Sequence, residues 1–261
     1  MSTIPKSLPK ILIVQTGTVG PLAEAHGDYP AWFRRSLEAD AQTTPVLLAH
    51  EGERLDANAL FSHGASGILV TGSPLSMTQP APWMEDLAGE LHRAGKRGVP
   101  VLGICFGHQL LAHGAGTPVV KNPRGREIGT VEVQLTEDGA RDPLFAWTRT
   151  GGADPSWARD CEHGRIAVQA THVDAVSSLP EGAVLLASNE STPMQALRYS
   201  ETVASTQFHP EIDPAALRAL IASRTAPMAS EGLDAAALAR GVRETQSGLV
   251  LRAFVEQVRR A

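Results

Sequence analysis

An apolar run, Pro100-Val-Leu-Gly-Ile, stops at Cys105, and Gly103 and Gly107 stand two residues to either side of that cysteine. A run this short, with turn signals at both ends, fits a buried strand over Pro100 to Cys105 better than a helix. The residues that follow, Phe106-Gly-His-Gln-Leu-Leu-Ala, take up a helix-like pattern. Glycines at this spacing suit a sharp strand-to-helix turn, where they relieve crowding and permit strained backbone angles. Such an elbow projects the cysteine side chain into a cleft, with the first N–H groups of a helix behind it. Those groups and the helix dipole favour an anion, which suits a thiolate and a developing oxyanion. The commoner fate of a free cysteine is a small core hydrophobe; the glycines and the residues downstream favour a nucleophile.

The downstream residues lie in Ser205-Thr-Gln-Phe-His209-Pro-Glu211. A cysteine nucleophile needs an imidazole to take its proton and later to protonate the leaving amine. That imidazole needs a third group to fix its tautomer and orientation. His209 and Glu211 fit these roles, because residues two apart in an extended segment point the same way and Pro210 keeps the residue before it extended. Alone, the His-Pro-Glu step would read as a loop histidine beside an exposed glutamate. Together with the cysteine elbow it does not.

Gly-Ile-Cys105-Phe-Gly-His-Gln109, followed by Gln-Phe-His209-Pro-Glu211, resembles the class I (triad) glutamine amidotransferases. The resemblance also takes in Val-Thr-Gly72-Ser73-Pro74 and Thr171-His172-Val173-Asp174, so it spans roughly residues 10 to 225. The chain is most similar to the amidotransferase half of GMP synthetase and its stand-alone relatives, which include plant γ-glutamyl peptidases. The likeness implies a three-layer α/β/α, doubly wound mixed sheet of flavodoxin-like type. It implies a Cys105, His209, Glu211 triad and an oxyanion hole from the backbone N–H groups of Ser73 and Phe106. It places substrate contacts at Gly72, Gln109, Thr171, His172, Val173 and Asp174. Two positions depart from the pattern: many relatives have glycine where Ser73 stands, and GMP synthetase has glycine where Val173 stands.

The first half of the chain alternates short aliphatic runs with helical patterns. Ile11 to Val14, Pro45 to Ala49, Ile68 to Thr71 and Val101 to Cys105 read as strands. Ala31 to Ala39 and Pro82 to Gly98 read as helices; Met84, Leu87, Ala88, Leu91 and Ala94 form an apolar face opposite Asp86, Glu90 and Arg93. This alternation implies parallel strands joined by crossover helices, with ligands bound outside the carboxyl ends of the strands. In the second half, Val119 to Leu135, Ile166 to Val173, Ala183 to Ser188, Met194 to Tyr199 and Val203 to Phe208 read as successive strands. Arg149 to Gly164 reads as a surface excursion and Arg224 to Glu231 as a linker. Residues 226–261 are expected to be a C-terminal helical extension of a single domain covering 1–261. Leu251, Phe254, Val255 and Val258 supply its apolar stripe, which packs back on the domain; a dimer contact is the minor alternative, and the oligomeric state is left open.

The 261 residues suffice for one large α/β core. With 43% hydrophobic residues, 20% charged and a formal net charge of −5, the chain suggests neither disorder nor a nucleic-acid surface; Arg34-Arg35 and Arg259-Arg260 fit solvated helix faces. It has no apolar run of membrane-spanning length and no hydrophobic stretch at its start, so a cytoplasmic location is expected. The two cysteines, Cys105 and Cys161, offer no disulfide framework. Cys161, His163, His113 and His172 match no zinc spacing, so no metal or other cofactor is expected. His108 reads as a hydrogen-bonded packing residue. The expected activity is hydrolysis of a γ-glutamyl amide, glutamine to glutamate and ammonia, through a γ-glutamyl thioester. No ammonia-consuming sequence is attached, so either a separate synthase takes the ammonia or the protein is a stand-alone γ-glutamyl peptidase. The reading from another class is a non-enzymatic interaction or thiol redox module.

Overall fold

The computed structural model describes residues 8–57, 64–149 and 164–261. Strand β1 (Ile11–Gln15) leads through α1 (Ala23–His26) and α2 (Tyr29–Leu37) to β2 (Val46–Leu48). Then β3 (Gly67–Val70) is followed by α3 (Pro82–Lys96), and β4 (Val101–Ile104) by α4 (Phe106–Gly114). The chain continues through β5 (Val119–Lys121), β6 (Glu127–Leu135), α5 (Glu137–Arg141), β7 (Arg165–His172) and β8 (Asp174–Val176). Strands β9 (Val184–Ser188), β10 (Ala196–Arg198) and β11 (Val203–Thr206) precede four helices: α6 (Pro214–Ser223), α7 (Thr225–Ser230), α8 (Ala235–Gly241) and α9 (Leu249–Arg260).

Among the described residues a nine-stranded sheet runs in the order β2-β1-β3-β4-β11-β10-β9-β6-β7. Neighbours from β2 to β11 are parallel; those from β11 to β7 are antiparallel. Strand alternation sorts the parallel half into two faces. Leu69, Leu102 and Ile104 point to one side, where Trp32 and Phe33 of α2, Leu217 of α6 and Phe254 of α9 cover them. Ile68, Val70 and Val101 point to the other, against Leu87 and Leu91 of α3 and Leu110 of α4. The result is the α/β/α mixed sheet expected from the sequence.

Three boundaries differ from that expectation, each for a local reason. Helix α2 starts two residues early, because Asp28 caps it by accepting from Tyr29 N–H and Pro30 fits its first turn. The long run from Val119 splits at Asn122, where Gly125 N–H turns back onto the Asn122 carbonyl with Gly125 at φ 88°. Strand β5 therefore leaves the main sheet and pairs with β8. Residues 225–230, read as linker, form α7, anchored by the fully buried Met228. Further on, Leu251, Phe254, Val255 and Val258 of α9 all join the main core. Of the excursion between Arg149 and Gly164, residues 150–163, with Cys161 and His163, lie outside the described residues.

Candidate active site

Strands β3, β4 and β11 are neighbours in register, Val70 opposite Gly103 and Ile104 opposite Thr206, so their carboxyl ends are level. Gly72, Cys105 and His209 follow those ends. Cys105 sits between β4 and α4 at φ 52°, ψ −97°, with its N–H on the Thr206 carbonyl at 2.8 Å. The flanking glycines answer to crowding alone. A Cβ at Gly103 would lie 2.5 Å from the Gly107 carbonyl oxygen, and one at Gly107 2.8 Å from the Val70 oxygen. The strained angle falls on the cysteine itself.

The spot a Cβ would take at Gly72 is where the site converges. It lies 2.8 Å from His209 Cε1, 3.5 Å from Tyr29 Cε1 and 3.7 Å from Cys105 Cβ. His209 is fixed at two points: its N–H donates to the Gln169 carbonyl at 2.8 Å, and its Nδ1 lies 2.7 Å from Glu211 Oε1. Both side chains are buried. Burial disfavours an imidazolium, but the Glu211 carboxylate and the Cys105 side chain outweigh it and push His209 up to about 10. Its Nε2 is buried with no hydrogen-bond partner among the described residues, on a ring that feels the Cys105 side chain.

In front of Cys105 opens a cleft of about 320 Å³, lined by residues 73–76, Gln109, residues 171–174 and two arginines, Arg126 and Arg224. Of the expected site residues, Ser73, Cys105, Gln109, Thr171, His172, Val173 and Asp174 reach it. Gly72, Phe106, His209 and Glu211 stand behind it. Ser73 is pinned: its hydroxyl donates to the Thr16 carbonyl at 2.9 Å and accepts from Leu75 N–H. Gln109 Nε2 donates to the Asp174 carbonyl at 3.1 Å, tying the elbow helix to the β7–β8 loop. Asp174 accepts from Ser76 Oγ at 2.5 Å. Both nitrogens of His172 are engaged within the protein, on the Asp174 carbonyl and on Glu127. This ring shapes the loop.

The family model described as glutamine amidotransferase class-I matches residues 31–224. The chain belongs to the class-I glutamine amidotransferase family. A glutamine amidotransferase-like protein of Schizosaccharomyces pombe is 29% identical over 158 residues, 60% of this chain and 56% of that protein. A glutamine-hydrolysing GMP synthase of Clostridium novyi is 36% identical over 148 residues, 56% of this chain and 24% of the synthase. The chain thus spans about half of the first relative and a quarter of the second. A crystal structure of a glutamine amidotransferase from Thermotoga maritima superposes with a TM-score of 0.69 at 19% identity, covering 98% of this chain and all of that one. One from Methylobacillus flagellatus gives 0.65 at 22% identity, covering 96% of each chain. At these identities the two structures show the fold.

Several residues around the cleft of this family member had no signal in the sequence. Arg224 sat in what read as a linker, Arg126 inside the run from Val119 to Leu135 that read as a strand, and Tyr29 two residues before the helix expected from Ala31; Ser76 carried no reading. Glu127 was hidden inside a strand. Its buried carboxylate meets His172 Nε2 at 2.9 Å, Gln195 Nε2 at 2.7 Å and Asn189 Nδ2 at 2.6 Å. His108, by contrast, packs as expected, against Ser205 Oγ at 2.7 Å, and burial holds it down at about 3. Among the described residues no cluster of three or more His, Cys, Asp or Glu could hold a metal, and no helix is long and apolar enough to cross a membrane.

Glu127 carries a stability prediction. Burial alone would raise its carboxyl, but the bonds from His172, Asn189 and Gln195 win and hold it below the usual range. A depressed carboxyl adds stability above its unfolded pKa and loses it as pH falls through the folded one. Glu127→Gln should therefore cost about 2 kcal/mol at pH 7, a fall in Tm on the order of 5 °C. Thermal melts should show the gap closing below about pH 4. A gap unchanged at low pH would mean that the charge is not what holds the loop.

Proposed function

We propose that the protein hydrolyses a γ-glutamyl amide through a thioester on Cys105. The observation that carries this reading is the convergence of Cys105, His209 and Tyr29 on Gly72, with His209 held by Glu211. The Cys105 sulfur, its proton already carried by His209 Nε2, attacks the γ-carbonyl carbon. The carbonyl oxygen becomes an oxyanion facing the Ser73 and Phe106 N–H groups. As the C–N bond breaks, His209 gives the proton to the amide nitrogen, which leaves as an amine, or as ammonia when the substrate is glutamine. Water then attacks the thioester with His209 as base, releasing glutamate and restoring the thiol. Glu211 keeps the imidazole in one orientation throughout. A synthase in a separate chain is the proposed taker of ammonia, by analogy with the glutamine-hydrolysing GMP synthases that the chain partly matches.

The test measures glutamate together with ammonia or amine released from glutamine and γ-glutamyl amides by the purified chain. No release from any of them would leave the interaction-module reading. The pH profile gives a second prediction. With His209 at about 10, turnover should hold level through neutral pH and fall only as the imidazolium is lost at alkaline pH. Glu211→Gln removes the largest influence raising His209, so its alkaline limb should move to lower pH. An unmoved limb would take Glu211 out of contact with the titrating group.

A further inference from the structure

Thr16 and Thr71 follow β1 and β3, which run parallel side by side, and both residues are fully buried. Both hydroxyls serve the Gly72 carbonyl. Thr71 Oγ1 accepts from Thr16 N–H at 3.1 Å, which leaves its own proton for that carbonyl at 2.8 Å. Thr16 Oγ1 lies 3.1 Å from the same carbonyl and shares its proton with the Thr71 carbonyl, also at 3.1 Å. No peptide bond among the described residues is cis, so the Ser73 N–H points opposite to the Gly72 carbonyl. That N–H has no acceptor among the described residues, and Ser73 lines the cleft with Cys105.

Turning this peptide over would strip the buried Thr71 hydroxyl of its acceptor, which is costly. It would also carry the φ of Ser73 through about half a turn. Among the described non-glycine residues only Glu38 and Cys105 have positive φ, so Ser73 would pass from negative to positive values, where a side chain crowds the backbone. The Ser73 hydroxyl, donating to the Thr16 carbonyl, and Pro74, which restricts the residue before it, resist the same rotation. Gly17 leaves the space for that anchor: a Cβ there would fall 2.4 Å from Ser73 Oγ. Building on the hydrolase reading, we propose that Thr71, backed by Thr16, is a positioning residue that locks the Gly72–Ser73 peptide with its N–H ready for the oxyanion. The hole then stands formed before substrate or any synthase arrives.

The experiment compares Thr71→Val, which keeps the shape and loses the hydroxyl, with Thr71→Ser, which keeps the hydroxyl. In the purified full-length chain with no partner added, Thr71→Val should lower kcat for glutamate release at least about tenfold, toward the roughly hundredfold loss that follows removal of one oxyanion donor. KM should stay within about threefold, because the donor is engaged chiefly in the transition state. Thr71→Ser should recover most of kcat. Alkylation of Cys105 by iodoacetamide draws on the thiolate and passes through no oxyanion, so its rate in Thr71→Val should stay within about threefold of wild type. An unchanged kcat in Thr71→Val overturns the proposal. So does an alkylation rate that falls in step with kcat, which would make Thr71 a support of the elbow. Crystal structures read the lock whether or not the chain hydrolyses anything, and the wild type needs no variant to fold. The wild type should hold the Gly72 carbonyl on Thr71, and Thr71→Val should show the peptide turned or divided between two orientations. A wild-type carbonyl facing the cleft, or an unturned peptide in Thr71→Val, overturns the lock. Failure of the hydrolase reading shows separately, as no glutamate released from any γ-glutamyl amide by a wild type whose peptide stays on Thr71.

Discussion

Cys105→Ala should cut γ-glutamyl amide hydrolysis by at least about a thousandfold, leaving only what substrate binding and the backbone N–H groups supply. Among the described residues Cys105 is the one cysteine, and it stands on the elbow between β4 and α4 and lines the cleft. The same geometry predicts selective chemistry in the wild type. A glutamine-like chloroketone should label Cys105 and spare Cys161, and labelling should vanish when a slow substrate fills the cleft. Turnover surviving in Cys105→Ala, or equal labelling of both thiols, would falsify the thioester mechanism.

The second large effect belongs to His209. His209→Ala should lower kcat by roughly a thousandfold or more, since one group serves as base in one half-reaction and acid in the other. Glu211→Gln should leave a measurable remainder, because an orienting group is worth less than the base it holds. The contrast should also appear without substrate. Alkylation of Cys105 by iodoacetamide at neutral pH should slow strongly in His209→Ala and only partly in Glu211→Gln. If Glu211→Gln is the more damaging change in kcat, the two roles are assigned in the wrong order.

The sequence revealed the parts of this site that depend on local rules. A glycine pair around Cys105 and a proline after His209 are short-range signals, and the structure sets both segments at the carboxyl ends of adjacent strands. The strand and helix alternation of the first half was legible for the same reason: each crossover element carries its own apolar period. What stayed hidden depends on distant partners. Glu127 lies in a strand whose pattern gives no hint of His172, Asn189 and Gln195 closing around it. Arg224 and Glu231 resembled a polar connector, because their partners Thr171 and Arg126 are far away along the chain. Polarity in sequence marks solvent or a buried bond equally well; only the third dimension separates them.

The backbone angle at Cys105 has a consequence for the protein as a material. A side chain held at positive φ stores on the order of 1–3 kcal/mol that the rest of the fold must offset. Glycine would sit there at ease. Two variants without the thiol should then differ: Cys105→Gly should melt higher than Cys105→Ala, although both lack activity. A laboratory selection for thermal resistance alone, with no demand for catalysis, would drift toward glycine at this position and discard the thiol first. The molecule is a spring held at its most reactive point.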